Sequence, residues 1–442
     1  MNRREEYSGY RGEALAALRR AEAEVGDLVR VTKRRGVFEG ILIPCSEYGD
    51  GKHIVVKLKS GYNVGVRITA QTRLKRIGKG EKPAFAPPSL PEENSELPKV
   101  AVLSTGGTIA SRVDYRTGAV RPALTANELY SVVPELAEIA RIDAQILFSL
   151  FSENITPKHW TEVAEAVAKQ VSDGRDGVVI AHGTDTMGYT AAALSFALQN
   201  LPVPVILVGS QRSADRPSSD AATNLIGAAT AAAKAPFAEV SVAMHETTSD
   251  TSIIIHRGTK ARKCHTSRRD AFKSVNARPI ARVQHNEVVM LTDEYRRRDP
   301  ARRLRLKPEF SEKVALTKFY PGMDPGVIDW FVKKGYRGLI IEGTGLGHIS
   351  SHAFEAIRNA VEQDIIVGMT SQCLWGRINM NVYNQGRDLL ALGVIPLRDM
   401  LPETATVKLM WILAQTKDVE EAKKLLQTNM AGEISLRTLP QE

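Results

Sequence analysis

Three times between Lys99 and Ala233 an apolar run stops at a polar, glycine-bearing turn and hands over to a helix-patterned segment. Lys99–Ser104 ends in Thr105-Gly106-Gly107-Thr108, and Gly177–Ala181 ends in His182-Gly183-Thr184-Asp185-Thr186 before the helical Thr190–Leu198. Val203–Val208 leads through Gly209-Ser210-Gln211 to the helical Ala221–Ala233. Repetition of strand, turn and helix is the signature of a parallel, doubly wound sheet, and ligands of such sheets bind at the carboxyl ends of the strands. These turns fall at those ends. A second set follows the charged stretch around Asp293–Lys307, with strands at Val314–Lys318, Gly338–Ile341 and Ile365–Thr370, then a helix at Thr404–Thr416. It predicts a smaller lobe of the same class.

Ahead of these lies a different texture. Arg3–Glu24 reads as a charged, alanine-rich helix; five short apolar pieces then run from Leu28 to Ile77, separated by turn signals such as Gly49-Asp50-Gly51. That spacing predicts a small closed or half-closed β-barrel. Gly78–Pro98, with five prolines among lysines and glutamates, reads as a linker. The expected divisions are residues 1–78 for the helix and barrel, 79–98 for the linker, 99–295 for the large lobe, 296–312 for an interlobe linker and 313–442 for the small lobe.

Composition narrows the function classes. A hydrophobic fraction of 43% suits globular cores. The three cysteines, Cys45, Cys264 and Cys373, have no CxxC spacing, which argues against a disulfide framework or structural zinc site. No secretory leader or membrane-length apolar run is present, so a cytoplasmic location is expected. Of the net charge of +9, residues 1–85 contribute +8, with 18 Lys and Arg against 10 Asp and Glu. Such a basic module can attract a polyanion, or simply form a solvated surface. The clusters Lys260-Ala261-Arg262-Lys263 and Arg302-Arg303-Leu304-Arg305 read as solvated surface or a subunit interface before direct RNA contact.

Three segments carry chemistry together that none carries alone. The glycine turn after Ser104 lets backbone N–H groups approach an anion beside the Thr105 hydroxyl. His182–Thr186 supplies a second hydroxyl, Thr184, and a carboxylate, Asp185; Ala271–Asn276 supplies Lys273. A threonine is a weak nucleophile without a base. Lysine can be deprotonated on burial, whereas arginine cannot, so threonine, lysine and aspartate have the logic of a triad without histidine.

The TGGTIA, HGTDTM and FKSVN segments, in this order, resemble the bacterial-type L-asparaginase/glutaminase family from about Lys99 onward. That resemblance implies an α/β, two-lobed asparaginase-like parallel sheet fold, here preceded by the small all-β barrel. It implies Thr105 as nucleophile, Thr184, Asp185 and Lys273 as the activating set, and Tyr115 on a lid over the site. Ser152 and Glu153 stand where the family usually places Ser-Gln on the substrate's α-carboxylate and α-amino groups. The segments 208–220, 265–270, 342–348 and 370–377, with the appended barrel, are similar to the D subunits of archaeal-type glutamyl-tRNA(Gln) amidotransferases. In that family the D subunit hydrolyses glutamine and sends ammonia to an E subunit, which uses ATP and Mg to convert Glu-tRNA(Gln) to Gln-tRNA(Gln). The resemblance implies a homodimeric core in a heterotetramer of two D and two E subunits, with no metal or cofactor on this chain. Consistently, it has neither GxxxxGK[ST] nor HExxH. A free-standing cytoplasmic L-asparaginase is the alternative enzyme, and a non-catalytic RNA-binding scaffold the alternative of another class.

Overall fold

The computed structural model describes residues 7, 9–34, 36–45, 50–58, 63–79, 95–107, 109, 111–113, 120–122, 129–130, 133–212 and 219–437. At the N-terminal end, helix α1 (Gly12–Arg20) precedes strands β1 (Leu28–Lys33), β2 (Gly36–Leu42), β3 (His53–Leu58), β4 (Asn63–Arg67) and β5 (Arg73–Gly78). The strands pair antiparallel in the order β4-β3-β2-β1-β5. No ladder joins β4 to β5 among the described residues, so the sheet is open at that seam. Ala14 and Leu18 of α1 close its core over Val29, Val31, Ile54 and Val56. The buried Tyr10 hydroxyl donates to Ile43 O at 2.7 Å and accepts from Val55 N at 2.9 Å.

The large lobe begins with β6 (Lys99–Ser104) and a ribbon of β7 (Ser111–Val113) and β8 (Val120–Pro122). Then come β9 (Arg141–Ile146), α2 (Pro157–Ser172), β10 (Gly177–Ala181), α3 (Met187–Ala197), β11 (Leu198–Gln199), β12 (Val205–Val208), α4 (Ala221–Lys234) and β13 (Val240–His245). Strands β9, β6, β10, β12 and β13 are mutually parallel. Because side chains alternate along a strand, Val100 and Val102 face Leu225 and Ala228 of α4, while Ala101 and Leu103 face Val163 of α2 and Met187 of α3. Helices thus cover both faces of the inner strands, which is why β6, β10 and β12 read as apolar runs while edge strand β9 does not.

At one edge the sheet turns antiparallel. Beyond β13 it is extended by β14 (Ile253–Arg257), then β17 (Ala281–Gln284) and β18 (Glu287–Met290), all antiparallel. A parallel neighbour needs a crossover of about a dozen residues or more. Residues 246–252 between β13 and β14 are too few, so the chain doubles back. Between β14 and β17 a separate hairpin, β15 (Ala261–Lys263) with β16 (Phe272–Ser274), projects from the sheet.

A short pair of β11 with β19 (Arg305–Leu306) precedes the second lobe. That lobe has parallel strands in the order β20 (Val314–Lys318), β21 (Gly338–Gly343), β22 (Ile366–Ser371), β23 (Ile395–Pro396). Helices α5 (Gly326–Lys333), α6 (Phe354–Glu362), α7 (Asn384–Ala391), α8 (Pro402–Gln415) and α9 (Val419–Gln427) accompany them. The two lobes share a core in which Ala192, Ala193 and Phe196 of α3 meet Leu409, Trp411 and Leu413 of α8. Helix α3 is therefore buried on most sides and mainly apolar, as a helix between two layers must be. Among the described residues no helix is long and apolar enough to cross a membrane.

Candidate active site

Successive strands β9 and β10 lie on opposite sides of β6, so the strand order reverses there. Such a switch point opens a crevice at the carboxyl ends of its strands, here the turns after Ser104, Ile146 and Ala181. Thr105 follows Ser104, which is paired with Ala181. Its backbone N–H and its hydroxyl both donate to Ala181 O, each at 3.0 Å, and the residue is 1% exposed. Two glycines come next because nothing larger fits. Gly106 and Gly107 have φ of +118° and +76°. A Cβ on Gly106 would lie 2.2 Å from Leu150 O, and one on Gly107 would lie 3.0 Å from Gly183 N.

The second turn is built on a buried imidazole. His182 Nδ1 donates to Gly183 O at 2.7 Å while Nε2 accepts from the Thr190 hydroxyl at 2.9 Å, and Trp160 Nε1 donates to Thr190 Oγ1 at 3.1 Å. Thr186 then donates to Ser152 O at 2.6 Å, tying this turn to the one after β9. Gly209, at the end of β12, leaves room for Thr184: a Cβ there would be 2.7 Å from Thr184 Cγ2.

The expected lysine is corrected by the geometry. Lys263 Nζ donates to Thr184 Oγ1 at 2.9 Å and to Asp185 Oδ1 at 2.8 Å. Lys273 Nζ instead donates to Asp270 Oδ2 at 3.3 Å, with nearly half its side chain exposed. The hairpin register explains the exchange. Lys263 stands opposite Phe272, and Arg262 opposite Lys273. Residues directly opposed across an antiparallel pair share a face, and neighbours along a strand do not. Lys273 is thereby turned away from the face that carries Lys263. The surface reading of Lys260–Lys263 is overturned too, since Lys260 is fully buried against Asp399 and the Lys263 side chain is only 14% exposed.

Ser152 is buried against Gly183, where an added Cβ would lie 2.9 Å from Ser152 Cβ. Glu153 beside it is exposed. Tyr115 lies outside the described residues. Among them, no group of three or more His, Cys, Asp or Glu side chains is placed to hold a metal ion.

Two buried imidazoles set a pH dependence on stability. Burial lowers His182 to about 4, and burial with the nearby Lys273 charge lowers His256 to about 3. Both folded values lie below the unfolded value of about 6.5, so the unfolded chain takes up protons first as the pH falls. Stability is full above that value and declines as pH falls from about 6.5 toward the folded values, by about 2 kcal/mol per imidazole between pH 7 and 5. Urea unfolding at the two pH values tests this; equal midpoints would contradict it.

Residues 99–296 match the family profile described as "Asparaginase, N-terminal", residues 313–426 the "Glutaminase/Asparaginase C-terminal domain", and residues 23–77 the "GatD N-terminal domain". The glutamyl-tRNA(Gln) amidotransferase D subunit of Pyrococcus furiosus is 53% identical over 96% of this chain and 98% of its own. That of Methanopyrus kandleri is 54% identical over 97% and 95%. The chain belongs to the D-subunit family of glutamyl-tRNA(Gln) amidotransferases. The name of these relatives makes each of them one component of a larger enzyme. Among solved structures, the L-asparaginase of Thermococcus kodakarensis superposes with a TM-score of 0.68 at 36% identity, covering 76% of this chain and 99% of that one. L-asparaginase I of Vibrio cholerae does so with 0.66 at 29%, covering 77% and 100%. The D-subunit relatives match this chain over nearly its whole length, whereas these asparaginases leave about a quarter of it unmatched.

Proposed function

We propose that this chain is a glutaminase that releases ammonia for a partner subunit. The observation that carries the reading is the Lys263 amino group held between Thr184 and Asp185 in the turn beside Thr105. In the proposed reaction the Thr105 oxygen attacks the side-chain amide carbon of glutamine. Its proton passes through the Thr184 hydroxyl to the Lys263 amine, and Asp185 stabilises the ammonium so formed. The oxyanion is met by backbone N–H groups of the glycine turn, a type of contact worth about 3 kcal/mol per donor. Collapse of the tetrahedral intermediate breaks the C–N bond, and the leaving nitrogen takes the proton back and departs as ammonia. Water then hydrolyses the threonyl ester to glutamate and free Thr105. Ser152 and Glu153 are assigned to the substrate's α-carboxylate and α-amino groups, and Tyr115 to a lid.

The ammonia is consumed on an E subunit, where ATP and Mg activate glutamate already esterified to tRNA(Gln). Two D and two E subunits around a homodimeric core, in the cytoplasm, complete the proposal. Its competitor, favoured by the likeness to solved asparaginases, is a free-standing L-asparaginase. Comparison of kcat/KM decides between them. Glutamine should be preferred, with turnover stimulated by the E subunit and Glu-tRNA(Gln); faster asparagine hydrolysis by the chain alone, indifferent to both, would overturn the reading.

A further inference from the structure

The hairpin that carries Lys263 is rooted in the other lobe. Both of its ends, Thr259-Lys260 before β15 and Asn276 after β16, make their side-chain bonds to the second lobe. Thr259 Oγ1 donates to Ala431 O at 3.0 Å, and Thr259 O accepts from Thr404 Oγ1 at 2.9 Å. Lys260 Nζ donates to Asp399 Oδ2 at 2.8 Å and to Asp399 O at 3.2 Å, with both side chains buried. Asn276, at φ +57°, donates to Asp399 O at 3.3 Å and accepts from Gly376 N at 2.8 Å; its carbonyl accepts from Ser435 Oγ at 3.2 Å.

Asp399 is the hub of this arrangement. Its carboxylate also receives Ser435 N at 3.0 Å, and Arg377 holds the same strap by donating to the Ser435 and Leu436 carbonyls. Val275 N donates to Lys260 O at 2.9 Å, so the two roots are also bound to each other. Lys263 lies three residues beyond Lys260, on a strand too short to correct an error in its root.

We infer that Asp399 and the C-terminal strap around Ser435 position Lys263, so that the second lobe sets the aim of the base in the first. This rests on the reading of Lys263 as the base. A buried pair of opposite charges gives little net stability over apolar replacements, which suits a positioning role for Lys260 and Asp399 better than a fold-stabilising one. Rotation of the second lobe would therefore be felt at Thr184 without any contact between that lobe and the substrate.

The test uses two variants of the full chain in complex with its partner. Asn276→Gly with Ser435→Ala removes bonds at the second root while keeping a residue suited to positive φ. Lys260→Met with Asp399→Leu replaces the buried pair by apolar groups; Arg377, 3.6 Å from the Asp399 carboxylate, keeps its bonds to the Ser435 and Leu436 carbonyls. Both should keep KM for glutamine within about twofold while kcat falls about 10- to 100-fold, the signature of a displaced catalytic group rather than a lost binding contact. An unchanged kcat in both folded variants would overturn the inference, as would kcat and KM worsening in parallel with a lowered melting temperature. Lys263→Met serves as the separate control: full activity there would sink the assignment of the base itself, whatever the root variants do.

Discussion

Lys263→Met will abolish ammonia release from glutamine, while Lys273→Met will turn over at close to the parental rate. Loss of a general base costs on the order of 10²- to 10⁴-fold. The Lys263 variant should fall at least that far, because the same ammonium also holds Thr184 and Asp185 in place. Lys263→Arg should be almost as poor, since a guanidinium stays protonated. Lys273 serves as the contrast: it contacts Asp270 at 3.3 Å on the other face of the hairpin and is half-exposed. Substitution of such a side chain usually changes stability by no more than about 0.5 kcal/mol. Steady-state assay of ammonia for the three variants gives the answer. If the Lys273 variant is the inactive one, the hairpin face has been misassigned.

Thr105→Val will separate the two halves of the proposed reaction. Glutamine-dependent amidation of tRNA should drop by at least on the order of 10⁴-fold, as removal of a nucleophile does. Amidation driven by added ammonium chloride should persist, since free ammonia has no need of the hydrolytic step. Valine keeps the shape of threonine, and Ala181 O keeps its bond from the backbone N–H of residue 105. The fold should therefore lose only about 1 kcal/mol. Glutamine use retained by this variant would remove Thr105 from the role of nucleophile. Loss of both activities would point instead to a broken complex, and gel filtration with the partner would reveal it.

The inner parallel strands β6, β10 and β12 were legible because each is buried on both faces and ends in a polar, glycine-bearing turn, whereas the partly exposed edge strand β9 carries no such apolar run. Ala101 and Leu103 point to one helix layer, Val100 and Val102 to the other, so the whole run must be apolar. The five N-terminal strands were legible through the turns between them. The antiparallel edge of the large sheet was hidden, because direction depends on how few residues join β13 to β14 rather than on their composition. Lysine choice failed for a related reason. Which of two lysines ten residues apart reaches Thr184 depends on hairpin register, a tertiary fact. A weaker signal was available in Ala261: a small apolar residue two positions before Lys263 shares its face, and Ala261 is buried. The basic run 260–263 drew attention to its charge and away from this alternation.

A hydroxyl carries one proton, and in the structure that of Thr105 is already committed to the carbonyl of Ala181. Proton abstraction first requires the side chain to swing out of that bond, and a β-branched residue has few staggered positions to swing into. At rest the nucleophile is therefore safely holstered. Under the proposed mechanism, whatever draws it out, whether an incoming amide or a shift of the strand beneath it, acts as the trigger.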